Sequence, residues 1–315
     1  MGKKPRYEKI EGMLTPSTFV PEVYRDAMAF KPRLDDVFVP TYPKCRTTWV
    51  QQIVSLIFRK GKTLLTSEEY FATLPFLEMT PMDILSMLEK PRCIKTHLPF
   101  DRISFSKDAK YICVARHPAD CVVSFFHHTR FFPTYFFSDG CFDDFFELFI
   151  KGEVDWNDYF DHLLSWYENK DEPNILFLTY EAMKSDPPNA CLKIARFLGE
   201  TYYNLLTEND ETMLKKVLEY SSVEFMKATV NEFWREQFSA VPSEELQMLN
   251  PVVKKFAKLM EEAEKEGHVP LGGFIRKGVV GDGEITLSKE QLDKLNERIN
   301  QKTSHSDVMN LWKMS

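Results

Sequence analysis

The segment Thr41-Tyr42-Pro43-Lys44-Cys45-Arg46-Thr47-Thr48-Trp49 constrains this chain more than any other. The apolar run Val37-Phe38-Val39 precedes it, and Val50-Gln51-Gln52-Ile53-Val54 follows with apolar residues at helical spacing. Strand, tight loop and helix in that order aim backbone N–H groups and a helix N-terminus at one point, which suits an oxyanion. Lys44 enters the loop and the hydroxyls of Thr47 and Thr48 leave it, so it reads as a P-loop-like cradle for phosphate or sulfate. It is not a Walker A loop. No glycine precedes Lys44 at the required spacing, and none stands directly before it.

The pattern around this loop repeats. Strands are predicted over 36–41, 93–96, 111–115 and 175–178, the last two as continuous apolar runs of the kind a doubly covered parallel sheet needs. Helices are predicted over 47–60, from Thr66, from Pro118 through Phe126, over 155–170 and over 190–198. Thr66 with Glu69, and Ser288 with Gln291, have capping-box spacing. Strands alternating with helices specify an α/β fold: a single domain over 1–315 with a central, mainly parallel sheet flanked by helices. Its core is expected at about 36–285, with the N-terminal segment and a C-terminal helix peripheral.

Forty basic against 47 acidic residues give a net charge of −7, which argues against a nucleic-acid or anionic-membrane binder but not against a local basic cleft. The polar start Met1 to Lys9 lacks the apolar stretch of a secretory signal, and Arg6 stands where myristoylation wants a hydroxyl. No apolar run approaches the roughly 20 residues of a membrane span. Six scattered cysteines lack CxxC spacing, and the four in apolar surroundings read as reduced core thiols, so a cytoplasmic protein is expected.

Residues just past strand C-termini are where open parallel sheets bind ligands. Lys95-Thr96-His97-Leu98-Pro99, Arg116-His117-Pro118 with Ser124 eight residues on, and Tyr180-Glu181 all fall there. Phe274-Ile275-Arg276-Lys277-Gly278-Val279-Val280-Gly281-Asp282 adds cations near the C-terminus. Ten phenylalanines lie between Phe125 and Phe149; core packing is the plain reading, with some rings left to wall an apolar pocket. His127 and His128 look like a metal pair, but adjacent helical residues point in different directions, so both are read as structural.

Together these segments resemble the cytosolic sulfotransferase family. The 41–49 loop is similar to its 5′-phosphosulfate loop, Arg116 with Ser124 to its 3′-phosphate motif, and the Lys-Thr-His-Leu-Pro and Arg-Lys-Gly-x-x-Gly-Asp segments match as well. The resemblance implies transfer of a sulfuryl group from 3′-phosphoadenosine 5′-phosphosulfate (PAPS) to a hydroxyl or amine, releasing adenosine 3′,5′-bisphosphate (PAP), with no metal required. It implies that Lys44, Cys45, Arg46, Thr47, Thr48 and Trp49 hold the 5′-phosphosulfate, with Trp49 stacked on adenine. Arg116, Ser124, Arg276, Lys277 and Gly278 would take the 3′-phosphate, and Tyr180 and Ser221 would touch adenine. His97 would be the general base, with Lys44, Lys95 and Ser124 completing the catalytic set. The implied partners are small apolar acceptors such as phenols, catecholamines or sterols, with neither nucleic acid nor membrane.

Two departures from that family follow. Ser-Gly is usual where Cys45-Arg46 stands, and Arg46 is expected to need a negative φ, since a bulky side chain disfavours positive values. Arg46 is accordingly expected to alter nucleotide affinity or release. A buried, inert thiol is the plain reading of Cys45; a thiol pKa lowered by Arg46 and the helix N-terminus is the alternative. Gly283-Glu284 replaces the family's Trp-Lys, and its dimer motif is poorly matched over Glu284, Ser288, Lys289 and Asp293, leaving monomer and homodimer both open. Two other readings stand beside the enzyme: a degenerate PAP-binding protein without turnover, marked by Arg46 and Gly283, and a P-loop kinase, which should have a Walker A loop.

Overall fold

The computed structural model describes residues 2–313. An antiparallel hairpin, β1 (Tyr7–Ile10) and β2 (Met13–Pro16), opens the chain. It was not foreseen, because each strand has only four residues and the run between them carries no strong alternation. The main sheet holds β3 (Val37–Pro40), β4 (Cys93–Thr96), β5 (Lys110–Ala115) and β6 (Ile175–Thr179), all parallel, in the order β4-β3-β5-β6. Register pairs Pro40 with Thr96 and Ala115 with Thr179, so the C-terminal ends of neighbouring strands lie level.

Period-two alternation explains why this sheet is covered on both faces. Phe38, Ile94, Tyr111 and Cys113 turn to one side and join Phe125, Phe145 and Trp166 in the larger core. Val37, Val39, Ile112 and Val114 turn to the other, against Val50, Ile53, Val54 and Ile57 of α1 (Thr47–Phe58). The chain leaves β3 for β4 on one side and then returns to β5 on the other. The switch point therefore lies at the C-terminal end of β3, where the 41–46 loop begins.

Helix boundaries depart from expectation where tertiary contacts intervene. α2 (Pro118–Phe131) runs five residues beyond Phe126, with Thr129 and Phe131 buried in the added turn. The helix expected from Asp155 starts later, as α3 (Tyr159–Tyr167). Trp156 and Asn157 instead take φ of 68° and 58°. Their backbone is held by β2: the Trp156 N–H donates to the Leu14 carbonyl (2.7 Å), and the Leu14 N–H donates to Asn157 Oδ1 (2.9 Å). Asp158 then caps α3. α4 (Pro187–Leu198) stops at Gly199, and α5 (Val223–Ser239) precedes the terminal α6 (Lys289–Thr303). Ser288 and Gln291 form the expected capping box on α6. Thr66 caps its helix, but Glu69 reaches the Leu65 N–H instead of closing the box. No helix among the described residues is long and apolar enough to cross a membrane.

Candidate active site

The four strand ends open into a cavity of about 410 Å³. Lys44, Arg46, Thr47, Thr48, Trp49, Lys95, His97, Arg116, Ser124, Tyr180, Ser221, Arg276, Lys277 and Gly278 all line it. Cys45 does not: its side chain is 1% exposed and turns into the core beneath the loop, with Sγ 3.8 Å from Cys121 Sγ. Its backbone N–H is used in the turn, donating to the Tyr42 carbonyl.

The loop is built differently from expectation. Arg46 has φ +75° and Lys44 φ +68°. Arg46 occupies the N-cap of α1 with left-handed backbone, and its carbonyl accepts from the Trp49 and Val50 N–H groups. A tight reversal into α1 imposes this geometry on a residue that disfavours it, at about 1–2 kcal/mol. The side chain offsets that strain. Its Nη2 donates to the Tyr180 hydroxyl (2.7 Å), and the guanidinium lies 4.2 Å from the Tyr180 ring centroid. Thr41 and Thr47 are joined through their hydroxyls at the base of the loop.

Cations gather at one end. Arg116 Nη1 donates to the Lys44 carbonyl (3.4 Å), and its Nη2 faces Asp120 (3.5 Å). Asp120 in turn accepts from the N–H groups of Gly281 (3.0 Å) and Gly283 (2.6 Å), which pins the C-terminal loop onto α2. Arg276 and Lys277 both donate to Asp282. Gly283 is required by packing: a Cβ there would lie 2.4 Å from the Ala119 carbonyl carbon. The Nε atoms of Arg46 and Arg116 are buried without a hydrogen-bond partner, while both residues line the cavity. Burial, reinforced by Arg46 and Arg116, lowers the Lys44 pKa to about 7.

The other end is apolar and aromatic. Phe19, Phe76, Phe132, Tyr135, Trp156, Trp234 and Phe274 wall it. Of the phenylalanine-rich stretch only Phe132 reaches the cavity, while Phe125, Phe137, Phe145 and Phe146 are core. Between the two ends stands His97. Its Nδ1–H donates to the Thr41 carbonyl (2.6 Å), which leaves the Nε2 lone pair for the cavity. Burial lowers its pKa to about 3, so the ring is neutral at physiological pH. Lys95, its pKa lowered to about 8 by burial, rests 5.0 Å from the Phe76 centroid.

Three contributors escaped the sequence reading. Glu78 is wholly buried and accepts from the His97 N–H and the Thr96 hydroxyl, both at 2.8 Å, which fixes the backbone that carries His97. Asp155 accepts from the Tyr135 hydroxyl (2.6 Å) at the aromatic end. His128, expected to be structural, accepts from the Lys44 ammonium at Nδ1 (3.3 Å) and lines the cavity, as does His127. Only His128's position four residues after Ser124, on the same helix face, hinted at this.

A sequence model described as "Sulfotransferase domain" matches residues 34–245. Human sulfotransferase 1C2 is 30% identical over 320 residues, covering 98% of this chain and 96% of its own. The crystal structure of mouse sulfotransferase SULT7A1 complexed with PAP superposes with a TM-score of 0.72 at 26% identity, covering 98% and 99% of the two chains. Retinol dehydratase in complex with androsterone and PAP gives 0.65 at 25% identity, covering 96% and 91%. A domain match over most of the chain, relatives aligned nearly end to end and a shared fold leave one assignment: the chain belongs to the sulfotransferase family and is a sulfotransferase.

Proposed function

We propose that this sulfotransferase uses PAPS as donor and a small apolar, phenolic acceptor, with His97 as general base. The observation that carries this reading is the His97 hydrogen bond: Nδ1 donates to the Thr41 carbonyl, which leaves the Nε2 lone pair unused on a ring that lines the cavity. Support for the donor comes from the Lys44, Arg46 and Arg116 cations that line the cavity and from the PAP bound by SULT7A1. Lys44 and the 46–49 backbone would hold the 5′-phosphosulfate, and Arg116, Ser124, Arg276, Lys277 and Gly278 the 3′-phosphate. Trp49, Tyr180 and Ser221 would line the adenine pocket. The aromatic wall favours a flat apolar acceptor, and retinol dehydratase accommodates androsterone. Six free cysteines suit a reducing, cytoplasmic setting.

His97 Nε2 takes the hydroxyl proton as the acceptor oxygen bonds to sulfur. Lys44 stabilises the charge left on the 5′-phosphate oxygen as its bond to sulfur breaks, and Lys95 helps neutralise the transferring oxygens. PAPS supplies the activated sulfuryl group; the chain supplies alignment, a base and fixed positive charge. Radiolabelled PAPS, a panel of phenols, catecholamines and sterols, and His97→Ala test the reading. Wild-type transfer lost in the variant is expected. Equal transfer by both proteins removes His97 as base, and PAP binding without turnover of any acceptor establishes the degenerate carrier instead.

A further inference from the structure

Lys44 is held differently from Arg116, Arg276 and Lys277. Arg276 and Lys277 lean on Asp282, and Arg116 on Asp120. No carboxylate pairs with Lys44 among the described residues; its ammonium donates to His128 Nδ1 at 3.3 Å and stands 4.6 Å from the Phe274 ring centroid. Both supports are uncharged. Burial, then Lys44, His97 and Lys95, hold the His128 pKa well below its ordinary value, so its imidazole keeps a lone pair at neutral pH. With Nδ1 accepting from Lys44, the remaining ring proton is on Nε2.

The imidazole is itself immobilised. His128 projects from α2 one turn after Ser124, with ring centroids 4.7 Å from Phe132, 5.7 Å from Phe274 and 6.1 Å from Phe125. A carboxylate in this place would aim Lys44 equally well but would cancel its charge and compete with an incoming anion. A neutral acceptor fixes direction and leaves the charge free. An ammonium has three N–H donors; one is taken by Nδ1, and two remain for the donor oxygens. Lysine on a flexible four-carbon stem otherwise samples many rotamers, and ordering it beforehand removes that cost from the transfer step.

We propose that His128 is a positioning residue for Lys44, holding one ammonium N–H at Nδ1 so that the other two point at the phosphosulfate. The proposal rests on the reading of Lys44 as the residue that holds the 5′-phosphosulfate. Three proteins test it: wild type, His128→Phe, which keeps a ring but has no acceptor, and His128→Asn, whose Oδ1 stands near the position of Nδ1. Melting temperatures check folding. PAP titration and steady-state transfer with one phenol at saturating and limiting PAPS are then compared.

His128→Phe is expected to weaken PAP binding and lower kcat, each by about tenfold, the scale of one charged hydrogen bond. His128→Asn is expected to stay within about threefold of wild type in both, since it restores the acceptor. A Phe variant with wild-type affinity and kcat overturns the proposal. So does an equal loss in Phe and Asn, which would show that only ring packing matters. The PAP titration needs no turnover, so it decides the role of His128 even if no acceptor is found. Failure of wild type to bind PAP would overturn the donor-site reading together with this one.

Discussion

The two ends of the cavity are made in opposite ways. The cationic end comes from contiguous segments: a loop after β3 held by backbone and Arg116 hydrogen bonds, and short turns after β4 and β5 and one C-terminal loop anchored on the carboxylates Glu78, Glu181 and Asp120. The aromatic end comes from side chains far apart in sequence, including Phe19, Phe76, Trp156, Trp234 and Phe274. Phosphate recognition needs N–H groups and cations at fixed spacing, which short motifs supply. An apolar wall needs only shape, which any element can contribute. On the proposed assignment of donor to the cationic end and acceptor to the aromatic end, the two should fail separately when mutated.

The sharpest break in that comparison is a crossed pair of variants. His97→Ala is expected to lower kcat by about 10²–10⁴ while PAP affinity stays within about twofold. Arg116→Ala is expected to weaken PAP by about 10–10², the loss of a partly desolvated charged contact, with the acceptor KM little changed. Calorimetric PAP titration beside initial rates separates them. Equal loss of PAP affinity in both variants would show that the two ends are one cooperative unit.

A smaller effect concerns pH. Lys44, with its pKa lowered to about 7, binds anions as ammonium, so PAP affinity should fall as pH rises above that value. The nucleotide's own phosphate loses charge below about 6, so affinity should peak between these limits. Lys95 near 8 would steepen the alkaline fall. Lys44→Met should bind more weakly and lose most of that fall; an unchanged alkaline limb would remove Lys44 as its source.

Legibility followed the same division. Lys44, Arg116, Arg276 and the residues around them were readable because strand ends and motif spacing place them without reference to distant parts of the chain. His128 and Glu78 were not. Their roles depend on how α2 and the segment before β4 pack against the loop, and neither histidine pairs nor lone glutamates carry a local signal. The phenylalanine-rich stretch misled in part, because aromatic density does not say which ring faces a cavity: Phe132 does, and Phe125 does not. Trp156 escaped for another reason. Its left-handed backbone is imposed by β2, more than 130 positions earlier in the sequence, and this overrides the helical pattern expected from Asp155.

Arg46 is where the motif and its local geometry conflict, and the smallest expected effect sharpens that point. Replacing Arg46 by alanine keeps a Cβ at φ +75° and loses the Tyr180 hydrogen bond, so a loss of about 1–2 kcal/mol is expected. Glycine loses the same hydrogen bond but relieves the strain by about 1–2 kcal/mol, less about 0.5–1 kcal/mol for its freer unfolded chain. Arg46→Gly should therefore be the more stable variant by about 0.5–1 kcal/mol, although glycine is usually the worse residue in a helix. Both variants should bind PAP more weakly than wild type, since each removes a guanidinium charge from the cavity lining. Urea unfolding of the two proteins, beside PAP titration, decides it. If alanine is the more stable, the left-handed turn is not what Arg46 strains against. If both retain wild-type affinity, the guanidinium serves Tyr180 alone and the cationic end is complete without it.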